Sequence, residues 1–233
     1  EYLPSSFPMQ AGVWVKNLAI KFGATSYVPS KLSATIASPS AWEPIGVGSF
    51  KTEGVELALE IENPKLASRV ITGTISAIAK LGEISLNLSS SLSNNPEKNA
   101  ISASVEKLNL KNLMNALLSD NAADFVSLIP DAFKDLELNK GTISIIPFEK
   151  ELKMTAESTI GNVLFDYKAK SGSNRVLLAM SPPPSFKFSS LSDMLKPLDD
   201  MDMQGSHFVI SNKQTIIEER FINSSSKEDA KYN

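Results

Sequence analysis

Side chains that commonly carry out catalysis are scarce in this chain, and the first candidate is its single histidine, His207. Catalytic triads need a histidine or a substitute base beside a nucleophile. Alternation predicts a strand over 206–211, in which His207 falls on the face opposite Phe208. We therefore predict a solvent-facing imidazole rather than a catalytic base. One histidine and no cysteine also argue against a zinc site.

A cluster of three carboxylates near the C-terminus, Asp199, Asp200 and Asp202, could offer oxygen ligands to Ca²⁺. Their spacing matches neither the D-x-D-x-D-G loop nor its distant glutamate. We interpret them as a solvated loop that follows a helix ended by Pro197.

A second acidic group, Glu53, Glu56, Glu60 and Glu62, lies along one stretch of chain. Glycosidases need two carboxylates from different elements that face one cleft. We interpret this row as the water-facing side of a strand. The loop 46–50, "GVGSF", lacks the third glycine and the lysine of phosphate-binding loops. The sequence thus predicts no enzyme, no cofactor and no metal site.

Composition excludes further classes of function. The net charge of −3 and the pI near 5.4 provide no basic field for a nucleic acid. The longest apolar runs are about five residues, against roughly 20 in a membrane-spanning helix. No signal-peptide pattern follows Glu1, so we interpret the chain as a mature protein or a piece of a longer one.

The elements that must position these side chains are mostly strands, because apolar residues alternate with period two. In "GVELALEIEN", Val55, Leu57, Leu59 and Ile61 point one way and glutamates the other. This pattern is typical of an antiparallel sheet with one buried face. The predicted strands are 13–22, 31–37, 54–63, 70–78, 83–92, 100–108, 142–146, 151–158, 163–169, 175–180 and 206–211.

Helices are predicted to be few and short. Apolar spacing indicates helices over 111–119 and 121–128. The stretch "SSLSDMLKP" predicts a compact helix, with Ser190 and Asp193 at capping-box spacing and Pro197 at its end.

Two segments repeat one apolar pattern. Leu108, Leu110, Leu113 and Leu117 match four apolar residues 78 positions later, and Leu136, Leu138, Ile143 and Ile145 match four that lie 65 positions later. The difference between the offsets predicts a shorter helical connection in the second copy. A unit that cannot close its own core buries its apolar face against its neighbour. We therefore predict a strand–helix–strand repeat with copies at about 99–146 and 174–211.

Three short motifs carry a resemblance to a protein class. They are Trp42, Pro44 and Gly46 at a module start, the strand Ile71-Thr72-Gly73-Thr74-Ile75, and the crossover Leu128-Ile129-Pro130. Residues 40–215 thereby resemble modules of very large, uncharacterised bacterial and fungal proteins. The resemblance implies a repeat module within a longer polypeptide, with an extracellular or cell-surface location favoured, and it implies no activity.

Together these patterns predict a mainly β fold: antiparallel strands in a sandwich or a curled sheet, with two or three short crossover helices. We expect a single domain over 1–220 and a disordered tail or linker over 221–233. The main functional hypothesis is a non-catalytic structural or adhesive module that binds neighbouring domains or another protein. The alternative is a carrier that holds a lipid in an apolar groove. Candidate groove-lining residues are Met114, Met154, Met180 and Met194.

Overall fold

A computed structural model describes residues 7–8, 12–24, 27–46, 50–81, 84–92, 99–118, 123–129, 131–169, 174–190, 192–203 and 206–212. Eleven antiparallel strands form one open sheet in which spatial order follows chain order. They are β1 (Trp14–Phe22), β2 (Pro29–Ser38), β3 (Thr52–Glu62), β4 (Val70–Leu81), β5 (Ile84–Leu92), β6 (Ile101–Asn109), β7 (Glu137–Ile146), β8 (Glu151–Ser158), β9 (Gly161–Lys168), β10 (Arg175–Ser181) and β11 (Phe208–Ser211).

The helices occupy the two longer strand connections of the C-terminal half. Between β6 and β7 lie α1 (Leu110–Leu118), α2 (Ala123–Leu128) and α3 (Asp131–Lys134), and between β10 and β11 lie two 3₁₀ segments (Phe188–Ser190 and Asp193–Leu198). The predicted β-rich class with short crossover helices is confirmed.

The predicted compact helix over "SSLSDMLKP" is wrong. The second 3₁₀ segment begins after Ser192, whose side chain makes no capping hydrogen bond, and Pro197 lies inside it. The Ser190 hydroxyl instead donates to the carbonyl of Lys187.

The chain divides into two compact units, unit 1 (Glu1–Ala103 and Ser144–Glu151) and unit 2 (Ser104–Ile143 and Leu152–Asn233). In unit 1, strands β3 and β5 alternate more and less buried side chains, as period two requires, whereas all nine residues of β1 are exposed. Segment 40–50 carries the fully buried Trp42, Ile45 and Phe50. It is held to the start of β3, because the Trp42 carbonyl accepts from the Thr52 amide at 2.9 Å and the Trp42 amide donates to the Thr52 hydroxyl at 3.1 Å.

Unit 2 has its own core, built from one face of α1 and from strands β8 to β10. Asn109 begins the helix: its Oδ1 accepts from the amides of Lys111 (2.9 Å) and Asn112 (3.3 Å), which satisfies donors that have no partner within the helix. The core residues contributed by α1 are Leu110, Leu113, Met114, Leu117 and Leu118.

An aromatic cluster joins both helical connections of unit 2 to its last strand. Phe208 in β11 packs on Phe133, Phe186 and Phe188 with ring centroids 5.9–6.2 Å apart. Such tilted and edge-on contacts are the favoured geometry of aromatic pairs.

The predicted repeat has a counterpart in the element boundaries. Helical structure begins at Leu110 and again at Phe188, 78 residues later, while β7 ends at Ile146 and β11 at Ser211, 65 residues later. These are the two offsets found in the sequence, but duplication itself stays a prediction, as does the single domain over 1–220. The predicted tail, 221–233, lies outside the described residues.

Candidate functional site

The one histidine lies next to a serine, as in a nucleophile–base pair. His207 precedes β11 and is half-buried, so its ring is only partly exposed to solvent. Its Nδ1 lies 2.8 Å from the Ser181 Oγ. The β10–β11 register ends at Met180 opposite Phe208, and continuing it by one step places Ser181 opposite His207. We therefore assign the contact to cross-strand pairing.

The aspartate cluster around residue 200 holds a turn together. The Asp199 carboxylate accepts from the Ser189 amide at 2.8 Å and from the Ser189 hydroxyl at 2.6 Å. These two hydrogen bonds lower the pKa of Asp199. Within the described ranges, no group of three or more His, Asp or Glu side chains could hold a metal ion.

The acidic row of β3 forms part of a ladder of ion pairs, as a solvated strand face does. Its members pair with lysines of other strands: Glu53 with Lys80 at 2.5 Å, Glu56 with Lys16, and Glu60 with Lys31 at 2.8 Å. The hydrogen bond that the Lys31 ammonium donates to the Glu60 carboxylate raises the pKa of Lys31. Glu53 and Glu56 line one depression of this sheet, and each is ion-paired with a lysine.

The opposite face of the same strands is apolar. Directly paired residues of antiparallel strands share a face, so the register defines rows that cross the sheet. Two adjacent rows, which we call the apolar strip, consist of Leu18, Ala34, Leu59, Gly73 and Leu92, and of Ile20, Leu32, Ile61 and Ile71.

The apolar strip extends from the buried core of unit 1 to a solvent-exposed surface. In the next row, toward segment 40–50, Leu57 and Ile75 are each only 3% exposed. Strip residues on β2 to β5 are half-buried, and Leu18 and Ile20 on β1 are 63% and 51% exposed. One continuous apolar face is therefore covered at one end and open at the other.

Because Gly73 has no side chain, the strip residues on β3 and β5 can approach each other over β4. A Cβ at this position would lie 2.7 Å from the Leu92 Cδ1 and 2.9 Å from the Leu59 Cδ2. The two leucines consequently meet above the glycine, so that the row remains continuous across three strands.

The open end of the strip coincides with the edge of the sheet, where no strand of the described residues pairs with the outer side of β1. β1 stands last in the sheet order, and all nine of its residues are exposed. Edge strands are normally protected by charges, prolines or bulges. β1 has a register shift between Val15 and Asn17, yet Leu18, Ile20 and Phe22 still expose large apolar side chains.

A depression of about 630 Å³ in unit 1 lies away from the strip. Polar residues such as Glu56 and Ser76 and apolar residues such as Trp14, Val55 and Ile78 line it. No residue of the apolar strip lines it. A ligand on the strip would thus lie on an open surface, whereas a ligand in the depression would meet ion-paired carboxylates and hydroxyl groups beside apolar side chains.

The four methionines predicted to line a groove do not share one environment. Met114, Met154 and Met180 are at most 1% exposed, in α1, β8 and β10 of unit 2. Met194 is 88% exposed in the second 3₁₀ segment. Sequence reasoning missed the strip, although the pattern Leu18-x-Ile20-x-Phe22 was available to indicate an apolar strand face.

None of the helices within the described residues has both the length and the apolar character needed to span a bilayer. No family model, curated protein or solved structure matches the chain.

Proposed function

We propose that the chain is a non-catalytic carrier that binds an acyl chain of a lipid on the apolar strip. The observation that carries this proposal is the continuous apolar face, which leaves the closed core of unit 1 and stays open as far as β1. A large exposed apolar patch on a folded protein marks an interaction surface.

The dimensions of the strip suit a single acyl chain. Its longer row crosses five strands, from Leu18 to Leu92, which corresponds to roughly 19 Å at about 4.8 Å per strand. One acyl chain spans half of a bilayer's hydrocarbon core, or about 15 Å. Strip side chains present only hydrocarbon, so a ligand there gains affinity from burial, about 0.8 kcal/mol per methylene group.

The test is oleate binding in solution, measured by titration calorimetry and by native mass spectrometry. Ile20→Asn and Leu59→Asn each place an amide in the strip, and we expect each to weaken binding about tenfold or more, because each removes roughly 1.5–3 kcal/mol of apolar burial. Ile78→Asn is the matched control, since Ile78 is 47% exposed in β4 and lies on the polar face. Equal affinity in all variants, or no oleate binding by the natural chain, would refute the proposal.

The second candidate is a structural or adhesive module, and the free edge of β1 favours it. A long exposed edge is a template for strand addition. The added strand would come from a neighbouring domain of the same kind, for which a second copy of this chain can substitute in an experiment. Light scattering across a concentration series should then show dimers that Leu18→Lys weakens and Met194→Lys does not. A chain that stays monomeric at every concentration contradicts edge pairing.

A further inference from the structure

Two hairpin turns at one end of unit 1 expose apolar side chains. The β1–β2 turn exposes Tyr27, which is 99% accessible, and the β3–β4 turn exposes Leu66, which is 56% accessible. The turns are neighbours, because the Asn63 amide donates to the Ser30 carbonyl at 2.9 Å. The aliphatic side chain of Leu66 and the aromatic ring of Tyr27 are therefore both exposed at the same end of the sheet.

The second turn holds its apolar side chain outward by local hydrogen bonds. The Leu66 amide donates to the Asn63 carbonyl at 2.9 Å, and the Arg69 amide donates to the Leu66 carbonyl at 3.2 Å. Asn63 adopts a φ of 50°, a conformation that asparagine tolerates in turns. Leu66 is therefore exposed on an ordered turn.

Basic residues surround these turns. Lys21, Lys65 and Arg69 are exposed at this end. The nearby acidic residues are Glu60 and Glu62, and Glu60 is paired with Lys31 at 2.8 Å. Among the described residues of this end, four cations, Lys31 included, stand against two carboxylates and give a positive balance, although the whole chain carries −3.

The same end leads into the apolar strip. Phe22, which is 52% exposed, precedes the first turn. Ile61 and Ile71, which pair in the outer row of the strip, flank the second turn. Exposed and half-buried apolar side chains therefore lie between the turns and the row containing Leu59.

We propose that the two turns dock the protein onto an anionic lipid membrane, with Tyr27 and Leu66 inserted at the interface and Lys21, Lys65 and Arg69 facing the head groups. This rests on the proposed carrier function, for which it supplies the site of lipid uptake. Tyrosine is favoured where an apolar environment meets water. Basic residues next to inserted apolar side chains select anionic head groups.

The experiment is flotation of the whole chain with vesicles of phosphatidylcholine alone or of equal parts phosphatidylcholine and phosphatidylglycerol. We expect binding to the anionic vesicles only, weakened by added salt. Lys65→Gln with Arg69→Gln should lower the affinity by about 25-fold, from about fivefold per basic residue near the surface. Tyr27→Ser with Leu66→Ser should lower it at least as much at every salt concentration. Met194→Ser, which removes another exposed apolar side chain, is the control.

The outcomes separate this proposal from the carrier proposal. Turn variants that lose vesicle binding but still bind oleate in solution support docking at the turns. If the chain binds vesicles but binds no oleate, the docking proposal stands and the carrier proposal is refuted. Absence of vesicle binding, equal binding to both vesicle types, or equal binding by turn variants and the natural chain would overturn the docking proposal.

Discussion

Two glycines with positive φ illustrate how much a single methyl group can cost at different places in this fold. Gly161 opens β9 with φ +114°, and a Cβ there would lie 2.1 Å from the Ser181 carbonyl oxygen and 2.9 Å from the Pro182 Cα. Gly46 has φ +70° and no atom within 4 Å of its Cβ position. Only the first site combines backbone strain with a collision against backbone atoms.

We expect Gly161→Ala to lower the free energy of unfolding by about 3–5 kcal/mol, since overpacking adds to the cost of a positive φ. Gly46→Ala should cost about 1–2 kcal/mol, from conformational strain alone. Urea unfolding followed by circular dichroism measures both. Similar losses in the two variants would show that the backbone at 161 can move away from Ser181.

A charged pair in unit 2 shows what a residue-by-residue reading misses. Asp166 and Arg175 form an ion pair of 2.7 Å across the β9–β10 hairpin, and the Asp166 side chain is 12% exposed. Asp166 occupies a strand position that alternation alone would assign to water. The burial of Asp166 depends on which residues pack on that face of the sheet. Period-two alternation does not show whether a face is packed against other residues.

At the scale of elements, the sequence allowed the strands to be predicted, but not the 3₁₀ structure of the second crossover, between β10 and β11. Each of the eleven strands overlaps a segment that alternation predicts, because side chains of one-sided strands must alternate, but β7 begins at Glu137, five residues before the predicted 142–146. The chain forms two 3₁₀ segments in the second crossover, and Pro197, which has no amide hydrogen to donate, lies inside the second. The full extent of the strip could not be predicted either, since it depends on register: Leu18 joins Leu92 only through four strand pairings.

The second crossover of unit 2 depends on pH through Asp199. Its pKa lies below the ordinary value of 3.8, because Ser189 donates two hydrogen bonds to the ionised carboxylate. A depressed carboxyl pKa contributes stability that is fully present above the unfolded-state value. That contribution disappears as the pH falls through the lower folded-state value, so we expect the link between the two 3₁₀ segments to loosen only below about pH 4.

Carboxyl carbon chemical shifts followed by NMR during an acid titration test this link. Ser189→Ala removes the hydroxyl donor and keeps the amide, so the pKa of Asp199 should rise part of the way toward 3.8. Ser190→Ala is the control, because the Ser190 hydroxyl donates to Lys187 instead. An unchanged Asp199 titration in Ser189→Ala would mean that this hydroxyl does not hold the carboxylate in solution.

At the scale of the whole molecule, charge and apolar surface are divided between faces. In unit 1 the ion pairs of Glu53, Glu56 and Glu60 lie on one side of the sheet and the apolar strip on the other. Alternation makes the two faces different, and the apolar face stays exposed at β1, where Leu18 and Ile20 are more than half accessible. The polar face is neutralised by its lysines, so attraction to an anionic surface must come from the turns around Lys65.

This division predicts where a bound lipid would alter hydrogen exchange. With oleate at about 100 times its dissociation constant, amides that exchange through openings of the strip should slow about 100-fold, equivalent to about 2.7 kcal/mol. The slowed peptides should lie in β1 to β4, with β8 to β10 unchanged, and Ile20→Asn should remove the effect. Protection confined to β8 and β10 would instead place the lipid beside Met154 and Met180, the positions that the sequence pattern first indicated.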